Sequence, residues 1–243
     1  MVLKLFKSLF PFKIKRKIKE HLGVPSLHWS LKNLKSKGYN PNYLIDIGAY
    51  EGSFTLDFLE VFPNVKVLML EAQDSKKSIM TSESEKNKNI EFEIAVLSSE
   101  DNKEISFFEN ETASHVEAGT FVDLDFDKSS TKKTKTLDTI LKNRNFSAPI
   151  FLKIDVQGHE LEVLNGAAKT LNKVEICLLE VSFLDLGFKT PLAIEIINFM
   201  EQKHFQMYDI TQFMRRPYDK ALYQIDLIFV NKDSSIISNN NWN

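Results

Sequence analysis

Cysteine is almost absent from the 243-residue chain: Cys177 stands alone, which excludes a disulfide within the chain and suits a reducing compartment. Its neighbours Ile176, Leu178 and Leu179 are apolar, so the thiol reads as a small buried hydrophobe and not as a nucleophile. Long apolar runs are missing too. None approaches the ~18 uncharged residues that a membrane-spanning helix needs. The opening Met1-Val2-Leu3-Lys4 has neither the apolar stretch nor the small-residue cleavage site of a signal peptide, so the expectation is a cytoplasmic protein.

What the chain does have is apolar material for one compact domain, with 43% hydrophobic and 26% charged residues and 19 Phe against 2 Trp and 6 Tyr. A chain of this length buries roughly 70% of its unfolded surface. The formal net charge of −2 hides an uneven distribution: residues 1–37 hold ten Lys or Arg and Glu20 as their single acid, a net of +9, leaving −11 for residues 38–243. Leu3, Phe6, Phe10, Ile14, Ile18 and Leu22 recur every three or four residues among lysines, which predicts a basic amphipathic helix bent near Pro11. Residues 1–42 therefore read as a basic helical extension, 43–231 as the main domain and 232–243 as a polar, frayed tail. The extension either packs on the domain or on a second copy in a homo-oligomer, or it rests on the inner face of an anionic membrane through residues 1–22. The acidic remainder speaks against nucleic acid as a partner.

From residue 43 short β-branched runs alternate with helical periods. Strands are predicted over 43–47, 65–70 and 90–96, with helices over 53–61 and 74–86 between them. A hairpin near 104–108 and a polar loop to about residue 131 interrupt the pattern. It resumes with an extended 134–137, a helix capped by Asp138, a strand over 150–154, a helix over 159–171 and a strand over 174–181. A helix over 193–202 precedes two adjacent strands, 205–210 and 223–230, so one of these runs antiparallel. The alternation predicts an α/β fold with a mostly parallel sheet covered by helices on both faces.

Two clusters carry the chemistry. The first strand runs into Asp46-Ile47-Gly48-Ala49-Tyr50-Glu51-Gly52-Ser53-Phe54, whose glycines would let backbone approach a nucleotide-like ligand. Glu71 ends the second strand, where an acid can accept both ribose hydroxyls. Ala72, Ala95 and Val96, at the ends of the second and third strands, join the candidate cofactor contacts. A dinucleotide fingerprint would need a glycine at position 50, and Asp46 would repel pyrophosphate while favouring an ammonium or sulfonium. S-adenosylmethionine carries both. In the second cluster, Leu152-Lys153-Ile154-Asp155-Val156-Gln157-Gly158-His159-Glu160, Lys153 and Asp155 alternate on an otherwise apolar strand whose carboxyl end faces the ligand edge.

The glycine turn, Glu71-Ala72, Leu137-Asp138, Leu152 to Ala167 with its Lys-Ile-Asp-Val-x-Gly-x-Glu core, and Leu179-Glu180-Val181 together resemble the FkbM family of S-adenosylmethionine-dependent methyltransferases. The resemblance implies a Rossmann-like sheet of seven strands, the last antiparallel, and O-methylation of sugar or polyketide hydroxyls. Two departures stand out: the family usually has Glu where Gln157 stands and a small or apolar residue where His159 stands.

A sugar O-methyltransferase is the leading expectation, ahead of a nicotinamide-dependent oxidoreductase or a catalytically silent binding module on the same fold. Its acceptor would be a nucleotide sugar, a glycolipid or a polysaccharide. His159 is the first candidate base, Asp155 the second, and Lys153 their electrostatic partner. Metal assistance through Asp155, Glu180 and Glu160 is an alternative, although no metal is expected. The loop 109–125, with Ser114 and His115, lies where a substrate lid would be, and Ser114 joins the cofactor candidates.

Overall fold

The computed structural model describes residues 21–109, 115–116, 128–187 and 189–239. The N-terminal basic helix expected over residues 2–22 and Ser114 of the lid loop therefore lie outside the described residues, apart from the helix's last two positions. A first helix, α1 (Leu27–Ser36), leads into β1 (Tyr43–Ile47), α2 (Ser53–Val61), β2 (Lys66–Glu71), α3 (Lys77–Lys86) and β3 (Ile90–Ile94). Four short strands follow, β4 (Val96–Leu97), β5 (Glu104–Glu109), β6 (His115–Val116) and β7 (Lys128–Lys135), and then α4 (Leu137–Leu141). The second half contains β8 (Ile150–Ile154), α5 (Glu160–Asn165), β9 (Val174–Ser182), α6 (Ala193–Gln202), β10 (Phe205–Arg215) and β11 (Leu222–Asn231).

The main sheet has seven strands in the order β3-β2-β1-β8-β9-β11-β10, and β11 runs antiparallel to both neighbours while the other pairs are parallel. Side chains alternate between the two faces, as the pleat requires. Ile45, Ile47, Leu152 and Ile154 enter one buried cluster, and Leu44, Phe151 and Ile176 enter the other. Much of the phenylalanine supply is used in the second, where the rings of Phe58 and Phe151 meet at 4.8 Å and those of Phe58 and Phe62 at 4.9 Å. A fully buried Phe contributes about 1.5 to 3 kcal/mol through area removed from water.

Four sequence expectations are corrected here. Residue 43 is not a boundary of the core, because Leu31, Leu34 and Tyr39 from the presumed extension are buried against Phe58, Phe62 and Phe151. The tail is not simply frayed: residues 235–237 form a short 3-10 turn whose Ile236 is buried. The strand expected over 90–96 breaks at Ala95, whose amide donates to Glu71 O at 2.8 Å, after which the chain joins a separate sheet ordered β4-β7-β5-β6. The expected polar loop thus gives way to strand from residue 128, because β7 pairs antiparallel with β5 along six residues and satisfies its backbone groups.

The helix after residue 136 starts on Thr136, whose Oγ1 accepts from Thr139 N at 3.1 Å. Asp138 is not the cap. Its carboxylate accepts from the backbone amides of Lys169 and Thr170, both at 2.8 Å, and from the Thr170 hydroxyl at 2.7 Å, tying α4 to the loop before β9. Among the described residues no helix is long and apolar enough to cross a membrane.

Candidate active site

The carboxyl ends of the parallel strands converge on a cavity of about 660 Å³, large enough for a small-molecule ligand. Open α/β sheets bind ligands at this edge because successive turns there leave a crevice between helices. One wall comes from the turn after β1, where Gly48, Ala49, Tyr50, Ser53 and Phe54 line the space. Ala72, Ala95 and Val96 also line it, and Phe107 of β5 closes it from the second sheet.

The glycines of the first turn serve packing more than ligand approach. A Cβ on Gly48, at φ +72°, would stand 1.8 Å from the Asp155 carbonyl oxygen, so the turns after β1 and β8 can meet only if position 48 has no side chain. Gly52, at φ +82°, does not line the cavity, and its Cβ would face Met69 Sδ at 3.2 Å. Gly52 therefore lets α2 close on β2 and is corrected from a cofactor contact to a packing residue.

Glu71 is buried at the end of β2, where its carboxylate accepts from Tyr50 N at 2.7 Å and Gln73 N at 2.8 Å. Burial raises its pKa, and the amide bonds and the nearby Lys153 charge pull it back. Each carboxylate oxygen has two lone pairs, so a pair of ribose hydroxyls can still be accepted from the cavity side. Tyr50 holds φ +51°, a left-handed conformation rare for a side chain of its size. That backbone lets its amide reach Glu71.

Asp46 requires a correction. It is fully buried and absent from the cavity wall, with Thr55 Oγ1 donating to its Oδ2 at 2.7 Å and Lys153 Nζ standing 3.3 Å from its Oδ1. The ion pair at Oδ1 is off hydrogen-bond alignment, and the carboxylate neutralises Lys153, not a cofactor ammonium. Lys153 Nζ also donates to Gly48 O at 2.8 Å and lies 3.6 Å from Asp155 Oδ2. Burial alone would depress its pKa, but Asp46 and Asp155 outweigh burial and hold it above the ordinary lysine range. It therefore stays an ammonium, paired with two carboxylates and fixing the turn after β1 at the wall of the cavity it lines.

Another part of the cavity wall is a network of acids and amides. Gln157 Nε2 donates to Asp155 Oδ1 at 2.8 Å and to Glu180 Oε1 at 3.0 Å, and Gln224 Nε2 donates to Glu180 Oε1 at 2.8 Å. Gln157 sits at φ +53°, a second left-handed non-glycine residue facing the ligand edge. Burial and the neighbouring carboxylates of Asp155 and Asp226 push Glu180 up to about 9. Asp226, its register partner on β11, accepts no hydrogen bond among the described residues, and burial beside Asp155 pushes it to about 7. His159 lines the same cavity with Nε2 3.0 Å from Ser98 Oγ.

The metal alternative built on Asp155, Glu180 and Glu160 does not assemble. Glu160 accepts from Gly158 N at 3.0 and 3.1 Å and from Val156 N at 3.2 Å, so its carboxylate shapes the loop beneath the cavity. Burial pushes it to about 7 in spite of those bonds. Among the described residues no group of three or more His, Cys, Asp or Glu side chains is arranged to hold a metal.

Tyr223, Gln224 and Asp226 escaped the sequence reading of the site, as did Gln212 and Met214 of β10, which also line the cavity. A usable signal was present. Gln224 and Asp226 interrupt the otherwise apolar run of β11 at the same two-residue spacing that separates Lys153 in β8 from Asp155 just after it.

A seven-stranded sheet with one antiparallel strand, and a ligand cavity at its carboxyl edge, define the Rossmann-like methyltransferase class. A family model, Methyltransferase FkbM domain, matches residues 46–207, and the chain belongs to this family. A putative O-methyltransferase from Klebsiella pneumoniae is similar at TM-score 0.51 and 11% identity over 94% of both chains, which supports the fold. An FkbM methyltransferase from Methylobacillus flagellatus KT shows TM-score 0.48 and 16% identity, covering 76% of this chain and 43% of its own. The chain thus spans under half the length of that relative. A precorrin-6y C5,15-methyltransferase from Geobacter metallireducens GS-15 gives TM-score 0.46 and 12% identity over 83% and 86% of the two chains. No curated protein matches the chain. Membership of a methyltransferase family implies S-adenosylmethionine as methyl donor, and the lone pairs of Glu71 and the apolar Ala95-Val96 wall fit its nucleoside.

Proposed function

We propose that the chain is an S-adenosylmethionine-dependent O-methyltransferase whose acceptor is a sugar hydroxyl. The observation that carries this reading is the hydrogen-bonded network Gln157–Glu180–Gln224 beside Asp155 and Asp226, an array of acceptors and donors suited to a polyhydroxylated ligand. When bound, the cofactor supplies an electrophilic methyl group on a sulfonium. The protein holds the nucleoside through Glu71, places the acceptor against the network and excludes water with Phe107 and Tyr223. Asp226, unbonded and poised near neutrality, takes the hydroxyl proton at a carboxylate oxygen, in preference to His159, one of whose ring nitrogens is engaged by Ser98. The family match lends no support to a nicotinamide-dependent reaction.

The test is direct. Calorimetric titration should show S-adenosylhomocysteine binding and no NAD binding, and a panel of nucleotide sugars, lipid-linked sugars and polysaccharides should yield a methylated product by mass shift. Methylation confined to non-sugar acceptors would overturn the sugar assignment. The acids lining the acceptor side also favour a neutral or ammonium-bearing ring there, with any phosphate of the acceptor held outside the cavity.

A further inference from the structure

Tyr50 keeps its left-handed backbone, φ +51°, without the freedom of a glycine, and such a conformation persists only where the surroundings over-determine it. Its amide donation to Glu71 Oε2 at 2.7 Å is one restraint. The second comes from Lys76. The Lys76 ammonium stands 3.9 Å from the centre of the Tyr50 ring and 3.1 Å from Glu51 Oε1, so it holds two consecutive residues of the turn after β1. At this range a cation is drawn to the face of an aromatic ring, and more strongly where water is excluded. Lys76 is 8% exposed, unusually buried for a lysine.

Lys76 is itself fixed by the turn after β2. Residues Asp74–Lys76 form a short 3-10 turn there, and the Lys76 amide donates to Gln73 O at 3.2 Å. Gln73 N in turn donates to Glu71 Oε1 at 2.8 Å. The two carboxylate oxygens of Glu71 are thus held one from each turn, Oε2 by Tyr50 and Oε1 by Gln73. Lys76, which does not line the cavity, joins the same two turns a second time. The contacts close into a ring that runs from Glu71 to Tyr50, to Lys76, to Gln73 and back to Glu71.

We propose that Lys76 is a positioning residue for cofactor binding: its ammonium pins the Tyr50 ring and so keeps the Tyr50 amide on Glu71, which sets the carboxylate in the orientation that receives the ribose hydroxyls. The inference rests on S-adenosylmethionine as the cofactor and on Glu71 as its ribose acid, and it adds to that site a residue that does not touch the ligand. Without the cation, Tyr50 can relax toward the negative φ that a tyrosine prefers, which turns its amide away from Glu71. Glu71 then keeps its place at the end of β2 with the Gln73 restraint alone, and its other oxygen samples orientations that the ribose does not match. Order lost before binding must be restored on binding, so the cost falls on affinity. Glu51 is the lesser partner, because its side chain is 42% exposed and an exposed ion pair contributes little.

The experiment is calorimetric titration of the full chain with S-adenosylhomocysteine, with circular dichroism to establish folding. Lys76→Met keeps the apolar stem and removes the charge, and it should weaken binding about 3- to 30-fold, the range of a partly to fully desolvated cation–ring contact. Lys76→Arg restores a cation over the ring and should bind within about two-fold of the wild type. In a Tyr50→Gly background the backbone takes a positive φ without strain and there is no ring to pin, so adding Lys76→Met should cost less than about two-fold further. A purely structural Lys76 would instead lower the melting temperature and leave the affinity of the folded protein alone in every background. Should Lys76→Met not fold, Lys76→Gln, with a polar end and no charge, carries the test with the same expected loss. A folded Lys76→Met or Lys76→Gln that binds like the wild type, or a Lys76→Met loss that persists undiminished with Tyr50→Gly, overturns the inference and leaves the cofactor reading in place. Wild-type protein that binds no S-adenosylhomocysteine overturns both.

Discussion

Asp46 and Lys153 are register partners on adjacent central strands, and the Lys153 ammonium stands 3.3 Å from the Asp46 carboxylate in the interior of the sheet. Neither group can lose its partner cheaply. Removing one member of a buried pair leaves an uncompensated charge, typically at about 3 to 5 kcal/mol. Lys153→Met and Asp46→Asn should each lower stability by about that amount, and the double variant should lose less than the sum of the two. Denaturant midpoints measure this. A Lys153→Met protein as stable as the wild type would remove the structural role and return Lys153 to the list of catalytic groups.

Changing Glu71 will not affect cofactor binding alone, because its carboxylate also receives the amides of Tyr50 and Gln73. Glu71→Ala leaves both amides unpaired, at about 1 to 3 kcal/mol of stability, as well as weakening S-adenosylhomocysteine. Glu71→Gln keeps an acceptor in place and should fold better while losing about 10- to 100-fold in affinity, the equivalent of a charge-assisted bond. Gly48→Ala is expected to fail at folding and not at binding, because its Cβ would meet the Asp155 carbonyl at 1.8 Å. Circular dichroism beside calorimetric titration separates the two effects. Wild-type cofactor affinity in Glu71→Gln would exclude Glu71 from ribose binding.

The buried acids in and beneath the cavity should make stability fall as pH rises. Glu160 and Asp226 are pushed to about 7 and Glu180 to about 9, all above ordinary carboxylate values. Between the ordinary value and the raised one, the folded protein keeps a proton that the unfolded chain has released, so each step upward in pH favours unfolding. The stabilisation is complete below the ordinary carboxylate range and is lost as pH passes the folded values. Asp226→Asn removes one such group and should raise the melting temperature at about pH 8 more than at about pH 5. An equal shift at both would show that Asp226 does not titrate in this way.

The fold was legible because it rests on periodicity and turn position. The runs 43–47, 150–154 and 193–202 carry their own hydrophobic patterns, and each forms the expected element. The break at Ala95 was not legible, since Ile90 to Leu97 is one apolar-alternating run and only β7, some thirty residues on, draws its end into another sheet. Glu71, Asp155 and His159 could be proposed from sequence because they stand at the ends of strands or the start of a helix, and all three line the cavity. Asp46 was misplaced because strand position alone does not say whether a carboxylate at that depth faces a ligand or a lysine on the adjacent strand. Asp226 lies in the middle of a strand, where a motif search tied to turns does not look.

The identity of the base is decided by comparing Asp226 with His159. Both line the cavity, so geometry alone admits either. The difference is in their partners: His159 shares Nε2 with the Ser98 hydroxyl at 3.0 Å, whereas Asp226 accepts no hydrogen bond among the described residues and sits near pH neutrality. A base works best when its pKa is close to the operating pH, and losing it typically costs about 10² to 10⁴ in rate. Asp226→Asn, nearly isosteric, should lower kcat within that range and leave S-adenosylhomocysteine affinity within about two-fold. His159→Ala should act mainly on acceptor KM, by freeing Ser98 and loosening the loop that carries Gln157. Wild-type kcat should rise with pH through about 7 and level off, and this limb should vanish in Asp226→Asn. If the limb persists in Asp226→Asn and disappears in His159→Ala, the proton goes to His159, and Asp226 is left as an acceptor-binding group.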